Sequence, residues 1–405
     1  MKTEIPEYVN AILSALNEGG FEAYIVGGGV RDMVLLRTPN DFDITTDAKP
    51  DEMKAAFSQI KGFSQVKILE TGLAHGTITV ICDGCACEVT TYRIDGEYID
   101  SRHPEEVKFT SSLAEDLRRR DFTINAMAYN DKTGLVDLFG GCDDIKNKII
   151  RCVGDPDKRF SEDALRILRA FRFAARLGFS IEEKTLQAIK NNKEKLLFIS
   201  RERVFSELSQ LLLCENPQKI LKAMEQSGVL PYVIYGYNGN EKSFDGISHL
   251  PKNIPVRLAF FLQDIVSDYD LAISKLKTSN EIKKRTKLLL EISDEEFLPT
   301  ARYAREFIVK YGEVADDAVA LATELYLLVG ETGFPEFYEA ARSESFPRSI
   351  AELEIGGADI SAKGRLVGEV LEYLHEKTLE DPLLNEKEIL LDMANKYIKE
   401  KENDL

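Results

Sequence analysis

The segment from Tyr24 to Asp43, YIVGGGVRDMVLLRTPNDFD, most constrains what this chain can become. It reads as an apolar strand, a turn of three glycines, a short helix and then two aspartates, Asp41 and Asp43. Gly27, Gly28 and Gly29 permit a tight turn and let a ligand approach the backbone with no Cβ in the way. The turn opens a helix, and the free N–H groups and positive end of a helix suit a phosphate. Asp41 and Asp43 are two residues apart, so on a strand both carboxylates project from one face. Paired carboxylates beside a phosphate cradle suit bound Mg²⁺ and point to phosphoryl or nucleotidyl transfer. The turn matches neither GxGxxG nor GxxxxGK[ST], which excludes a dinucleotide-binding fold and a P-loop.

The 405 residues, 44% hydrophobic and 30% charged, have the composition of an ordinary soluble globular protein of two to four domains. A net charge of −17 argues against broad, non-specific binding to nucleic acid. It leaves room for local basic patches, at Lys275–Lys287 and around Arg201–Arg203. No run of eighteen apolar residues exists and the N-terminus lacks a signal-peptide pattern, so the expectation is a cytoplasmic protein without a membrane span. Three of the six cysteines crowd into CDGCAC (Cys82, Cys85, Cys87). The Asp83-Gly84 pair there reads as a hairpin turn, no second CxxC completes a zinc set, and free thiols are expected.

Along the chain, residues 5–18 and 50–57 carry helical patterns, and 64–92 alternates as strands of an antiparallel or mixed sheet. Alternation alone makes Glu88 a solvent-facing strand residue. Residues 93–112 lose periodicity and read as a loop, functional or disordered. LAEDLRRRDFTINAMAYN reads as a helix that places Asp121 and Asn125 on one face, and 134–151 as a hairpin turning at Gly140-Gly141. From Ser161 the strands are expected to end: Ser161 is a candidate N-cap of a helix closed by Gly178, with Glu162 and Asp163 in its first turn. Helical patterns follow at 182–196, 201–214, 217–228, 254–266, 280–291, 303–312, 315–330 and 367–376, and the last ten residues are expected to fray. The fold class is α+β.

The segments VGGGVRD, DFDITT, HGTITV, EVTTYR, RRDFTINAMA, DLFGGCDDI, RFSEDALRILRAFRFAARLGF and ISRERVFSEL occur in that order over about the first 210 residues. In this the chain resembles the bacterial-type (class II) tRNA nucleotidyltransferases, the CCA-adding enzymes, and their relatives the bacterial poly(A) polymerases. A weaker resemblance spans 353–390. The resemblance implies a polymerase-beta-like α/β head with a mixed sheet (1–140), then a helical neck (141–215), body (216–330) and tail (331–405). It implies addition of C, C and A to the 3′ end of tRNA from CTP and ATP, with no membrane and no protein partner. It assigns Asp41 and Asp43 to catalytic Mg²⁺ and makes Glu88 the third carboxylate. Gly27, Gly28 and Arg31 would hold the triphosphate, and Arg119, Arg120 and Asp121, with Asn125 nearby, the ribose and phosphates. A carboxylate accepting from the 2′-hydroxyl would favour NTP over dNTP.

Asp163 and Arg166, at i and i+3 of the Ser161 helix, would read the base, supported by Arg169. C and A both offer an amino donor beside a ring acceptor, which a carboxylate and a guanidinium match. U and G present a carbonyl where that amino group would be. Without the resemblance, the same two residues read as a surface ion pair worth about 0.2–0.5 kcal/mol. Some relatives carry a His-Asp phosphohydrolase motif; none of His75, His103, His249 and His375 precedes an Asp, and LAFFLQDI (258–265) resembles a degenerate relic. The alternatives are poly(A) tailing, partial CC- or A-addition, and an inert RNA-binding protein.

Overall fold

Seven strands form one mixed sheet in the order β3-β4-β5-β2-β1-β8-β9. The structure is a computed structural model and describes residues 4–95, 107–240, 242–329 and 333–403. Helix α1 (Glu7–Glu18) leads into β1 (Ala23–Val26), helix α2 (Gly28–Val34), β2 (Asp43–Thr46) and α3 (Pro50–Phe57). Strands β3 (Val66–Gly72), β4 (Thr77–Cys82) and β5 (Cys85–Thr91) follow. Asp83 and Gly84 both have positive φ, 47° and 91°, so the β4–β5 turn is the expected two-residue hairpin. The expected free thiols also stand among the described residues.

Every pairing in this sheet is antiparallel except β2 with β5, whose register sets Asp43 opposite Glu88. Alternation then sorts the two faces. Ile25, Ile44, Val89 and Ile78 are buried on one face, with Val9, Ile12, Leu16, Met53 and Phe57 of α1 and α3 in the same core. Tyr24 and Val26 lie on the other, in a cluster with Tyr92, Leu117 and Ala128. Asp43 and Glu88 share this second face, at the end of β2 where that cluster stops.

Between Arg93 and Asn130 the expected loop and long helix are replaced by shorter elements. Strands β6 (Arg93–Asp95) and β7 (Val107–Phe109) pair as a ribbon, and the rest of the expected loop, 96–106, lies outside the described residues. Helix α4 (Leu113–Arg118) stops at Arg119. A 3₁₀ turn at Thr123–Asn125 follows, then β8 (Met127–Asn130) enters the sheet beside β1. Sheet pairing thus overrides the helical pattern there, and Asp121 and Asn125 do not share a helix face. Strand β9 (Gly134–Asp137) completes a hairpin with β8, and Gly140-Gly141 does not turn a hairpin but starts helix α5 (Gly141–Asn147).

Strands persist briefly past Ser161. β10 (Ile149–Ile150) pairs in parallel with β11 (Ser180–Ile181). The expected helix from Ser161 is two helices, α6 (Pro156–Glu162) and α7 (Leu165–Leu177). Asp155 caps α6 by accepting from Asp157 N, and Pro156 follows at the first helical position, where proline is favoured. Ser161 is therefore no N-cap; its hydroxyl donates to Asp157 O within α6. Gly178, at φ 70°, closes α7 as expected. Helices α8 (Glu183–Asn192), α9 (Arg201–Leu212), α10 (Gln218–Gln226) and α11 (Leu230–Val233) continue this compact unit, which runs to Phe244 and includes Ile265–Thr278.

The second unit holds Asp245–Asp264 and Ser279–Leu405. Its helices are α12 (Ile254–Leu262), then, beyond α13 (Tyr269–Lys275) of the first unit, α14 (Asn280–Ser293), α15 (Ala301–Tyr311), α16 (Ala315–Val329), α17 (Phe334–Ser343), α18 (Arg365–Glu380) and α19 (Lys387–Asn403). Phe307, Phe334 and Tyr338 interlock α15 with α17. α18 and α19 bury Val370, Leu374, Leu390 and Ala394. The last ten residues do not fray across their described part, because Ile398 packs into this cluster.

One contact ties α5 to the segment that carries Asp121. A Cβ on Gly141 would lie 2.4 Å from the Thr123 carbonyl oxygen and 3.0 Å from Met127. Gly141→Ala is expected to lower stability by about 1–3 kcal/mol, the usual penalty of overpacking. Urea unfolding measures it, and an unchanged midpoint would contradict this packing.

Candidate active site

Nine arginines and four aspartates line a cleft of about 630 Å³ in the first unit. The glycine turn forms one wall. Gly27 has φ 71°, and a Cβ there would lie 3.3 Å from Arg120 Nη1 and 3.7 Å from Asp43 Oδ2. Glycine is required on both counts, backbone conformation and close approach. Gly29 packs so closely on the Asp41 carbonyl that a Cβ would sit 3.3 Å from it. α2 thereby holds the segment bearing Asp41 and Asp43.

Buried carboxylates set the arginines. Asp116, fully buried, accepts from Arg119 Nε at 3.0 Å, Arg120 Nη2 at 3.2 Å and the Thr45 hydroxyl of β2 at 3.3 Å. Burial works against its charge, yet Arg120 and Arg119 hold its pKa below the usual range. Arg119 and Arg120 are thus fixed to the strand that carries Asp43. Arg120 Nε is a buried donor with no hydrogen-bond partner among the described residues, a feature a phosphate oxygen in the cleft would satisfy.

Asp121 is the second such group. Its Oδ1 accepts from Phe122 N (2.8 Å) and Asn125 Nδ2 (3.2 Å), and its Oδ2 from Arg169 Nε (2.9 Å) and Nη2 (2.7 Å). Burial opposes its charge, and the Arg169 guanidinium draws its pKa down. All four acceptor positions of the carboxylate are taken, so a ribose hydroxyl could bind it only by exchange with one of these donors. Asn125 also accepts from Arg31 Nη1 at 2.9 Å, and Arg31, 3% exposed, donates to Asp32. The guanidiniums of Arg31, Arg169 and Arg172 surround the Phe173 ring, at 5.4, 5.2 and 4.3 Å from its centroid.

At the other end, Asp163 and Arg166 do not pair. Asp163 sits in the break between α6 and α7 with φ −145° and ψ 103°, so helical i,i+3 spacing does not apply to it. Its Oδ1 accepts from Leu165 N at 3.0 Å and its Oδ2 from Arg203 Nη2 of α9 at 2.9 Å. Arg166 instead donates to Glu162 Oε2 (2.7 Å) and to the carbonyls of Arg159 and Arg119. Glu207, one turn along α9 from Arg203, pairs with Arg172 and lies 3.7 Å from Arg169. The cleft therefore gathers Gly27, Gly28, Arg31, Asp41, Asp43, Arg119, Arg120, Asp121, Asn125, Asp163, Arg166 and Arg169, with Glu88 beside Asp43 on the sheet.

The Poly A polymerase head domain matches residues 23–151, and a probable RNA-binding and SrmB-binding region of polymerase A matches 178–237. The CCA-adding enzyme of Ligilactobacillus salivarius is 35% identical over 402 residues, covering 96% of each chain. The chain belongs to the CCA-adding enzymes. The enzyme of Pediococcus pentosaceus is 34% identical across 97% of this chain and 98% of its own. The crystal structure of the CCA-adding enzyme of Bacillus stearothermophilus with CTP superposes with a TM-score of 0.76 at 29% identity, over 99% of this chain and all of that one. The mixed-sheet head followed by helices is the fold of these nucleotidyltransferases.

Several cleft residues of this CCA-adding enzyme escape a reading of its sequence. Asp116, Arg172, Phe173, Arg176, Glu207 and Gln210 reach the site or fix its arginines from α4, α7 and α9, and Arg203, read only as part of a basic patch, joins them. On α9, Arg203 and Glu207 lie four residues apart, the spacing of one helix face, and that was the signal available.

Asp43 opens on the cleft, and its pKa is raised from 3.8 to about 6. Desolvation by the surrounding cleft walls is the main cause, although the residue keeps an accessible face; the neighbouring Asp41 and Glu88 add to it and Arg120 opposes them. A carboxyl whose folded-state pKa is raised penalises the fold when ionised. The penalty is present above pH 6, declines as the pH falls through 6 and is absent below 3.8. Asp43→Asn is therefore expected to raise the Tm in chelator at about pH 7.5, with the gain vanishing near pH 4. Equal melting at the higher pH would refute the electrostatic reading.

Proposed function

We propose that this protein adds C, C and A to the 3′ end of tRNA from CTP and ATP, without a nucleic-acid template. The observation that carries this is one arginine-rich cleft with carboxylates at both ends, in a chain related along its whole length to CCA-adding enzymes. An arginine lining suits a triphosphate, and it sits within a chain of net charge −17.

The donors present fit a divalent cation. Asp41 and Asp43, with Glu88 across the β2–β5 pair, offer hard oxygen ligands. The raised pKa of Asp43 comes mainly from desolvation, with repulsion from Asp41 and Glu88 added, and a bound cation would offset both. Among the described residues no three ligand-type side chains converge tightly enough to hold an ion alone, so nucleotide phosphates would complete the coordination of Mg²⁺. What a bound divalent ion supplies at such a site is a lowered pKa for an attacking 3′-hydroxyl and charge compensation for pyrophosphate.

The chain's own residues do the rest. Gly27 and Gly28 leave room for the triphosphate against the backbone, and Arg119 and Arg120, fixed by Asp116, neutralise it. Arg169 and Asn125 hold Asp121 on the ribose side, where exchange of one donor admits the 2′-hydroxyl. Asp163 keeps lone pairs free to accept the exocyclic amino group of C or A, and Arg166 donates to the ring acceptor after leaving one of its carbonyls. The 3′-hydroxyl attacks the α-phosphorus and pyrophosphate leaves. Residues 1–140 form the catalytic head, 141–215 the base-reading neck, and the body (216–330) and tail (331–405) bind tRNA.

Supplied with tRNA lacking its 3′ end, the protein is expected to add two C residues from CTP alone and C, C and A from both nucleotides, read at single-nucleotide resolution. A long ladder with ATP alone would instead identify a poly(A) polymerase. Asp41→Ala is expected to lower incorporation by at least about 10²-fold; near-normal turnover would remove the metal assignment. Asp163→Ala should erode the preference for CTP and ATP over UTP and GTP by roughly 1–3 kcal/mol, the worth of one bidentate base contact. Unchanged selectivity would remove Asp163 as the base reader.

A further inference from the structure

Of the nine arginines that line the cleft, eight hold a partner within the protein. Seven of these pair with carboxylates, and Arg93 donates to the His75 carbonyl. Arg176 is the ninth: among the described residues it makes no hydrogen bond and no ion pair. Its neighbours in the chain explain this. The positions three and four residues away are Arg172, Phe173, Phe179 and Ser180, none of them acidic, so no helical ion pair is available. The side chain is exposed at the cleft, and its charge is uncompensated.

Geometry places that charge. Helix α7 presents Arg169, Arg172, Phe173 and Arg176 at i, i+3, i+4 and i+7, one face of the helix. Arg31 packs over the Phe173 ring at 5.4 Å, and a Cβ on Gly28 would lie 3.5 Å from its Nη2. Arg31 thus joins the glycine turn to this face of α7, and Arg176 follows Phe173 by three residues. The two guanidiniums repel. Burial is the main cause that lowers the pKa of Arg31; Asp32 opposes it, and the charge of Arg176 adds to the lowering. Among the described residues Asp32 is the only carboxylate paired with either, so the two together form a site for a multiply charged anion. The order of residues along α7 identifies which anion. Arg166 lies at the base-reading end, Arg169 grips Asp121 on the ribose side, and Arg176 stands roughly 15 Å from Arg166 at a helical rise of about 1.5 Å per residue. An extended nucleoside triphosphate spans such a distance from its base to its terminal phosphate, and its parts run in the same order.

We infer that Arg176 binds the terminal phosphate of the incoming nucleotide, and that it makes the cleft prefer a triphosphate to a diphosphate. This rests on the cleft as the site of CTP and ATP, with the base at Asp163 and Arg166. The terminal phosphate carries more charge than either phosphate before it, and it is the same in every nucleotide. A cation at that end therefore strengthens CTP and ATP alike and leaves the choice of base to the other end of α7. The seven arginines paired with carboxylates have part of their charge cancelled, whereas Arg176 brings all of its own. The same contact holds pyrophosphate, the leaving group.

The test compares the full chain with its Arg176→Met, Arg176→Lys and Arg176→Glu variants. Calorimetry gives Kd for CTP, CDP and CMP in magnesium buffer without RNA, and addition assays give KM for CTP, ATP and tRNA lacking its 3′ end. Arg176→Met is expected to weaken CTP by about three- to tenfold, between the worth of an exposed and of a shielded charge pair. CDP should weaken less, and CMP not at all. Arg176→Lys, which keeps the charge, should recover part of the loss, and Arg176→Glu should lose more than Arg176→Met. KM for CTP and ATP should rise by one common factor while KM for tRNA and the preference over UTP and GTP stay native, and inhibition by added pyrophosphate should weaken in parallel. Equal weakening of CTP, CDP and CMP would overturn the inference, and so would unchanged binding of all three. A raised KM for tRNA with CTP binding intact would assign Arg176 to an RNA phosphodiester and overturn it as well. Should Arg176→Met fail to fold by circular dichroism, Arg176→Lys and Arg176→Gln carry the comparison, and native CTP affinity in both would overturn it equally. If the unaltered protein binds CTP no more tightly than CMP, the reading of the cleft as a triphosphate site fails first. If it binds CTP and adds nucleotides while the Arg176 variants keep native affinity, only the inference fails.

Discussion

The parallel pairing of β2 with β5 is the constraint on which the rest of the head depends. It is the one parallel pair in a sheet otherwise built from antiparallel neighbours, and its register sets Asp43 opposite Glu88. A parallel pair requires a long connection, and here α3, β3 and β4 supply it. A slip of one residue would turn Glu88 to the face of Val89 and Ile44, into the core. The alternation that buries Ile44 and Val89 is thus the same alternation that exposes the two carboxylates. Hydrophobic burial fixes the register, and the register places the charge.

Around that pair the site is held by carboxylates that face arginines. Asp116, Asp121 and Glu207 are each buried; Asp116 and Glu207 each grip two arginines, and Asp121 holds Arg169 through two of its nitrogens. Buried ion pairs of this kind add little net stability, because desolvation offsets attraction, but breaking one leaves an uncompensated charge. Their value lies in geometry: long arginine side chains lose rotamer freedom once, on folding, and line the cleft in fixed positions. The chain's acidic balance is reconciled in the same way. Nine arginines concentrate at one cleft, while the charge of −17 belongs to the molecule as a whole.

Much of this was legible in the sequence, and the failures have physical causes. The glycine turn, the Asp83-Gly84 hairpin and helix α3 follow from local rules, positive φ at glycine and proline at a helix start, whereas Asp41 precedes β2 instead of sharing the strand with Asp43. Residues 113–130 misled because RRRDFTINAMA carries helical spacing while its last part pairs with β1, a choice made by the sheet and invisible along the chain. Gly140-Gly141 looked like a hairpin, yet Gly141 is small because the Thr123 carbonyl needs the space. Glu88 is exposed on its strand, as alternation expects, but its place opposite Asp43 is not legible until the register of β2 is known. Glu207 was overlooked, and Arg203 read only as part of a basic patch, because their partners lie 35 to 40 residues away on other elements.

The break at Asp163 shows how local structure keeps a carboxylate and a guanidinium apart. Had α6 and α7 run on as one helix, Asp163 and Arg166 would have stood at i and i+3 and could have neutralised each other on the helix surface. The chain instead leaves the helix at Asp163, spends the carboxylate on Leu165 N and Arg203, and sends Arg166 to Glu162. Each of the two groups is held by a partner other than the one nearest in sequence, so neither quenches the other. A carboxylate and a guanidinium thereby line one cleft without pairing. Ending α6 one residue before Asp163, and bringing in α9 to hold that carboxylate, achieves this with ordinary ion pairs.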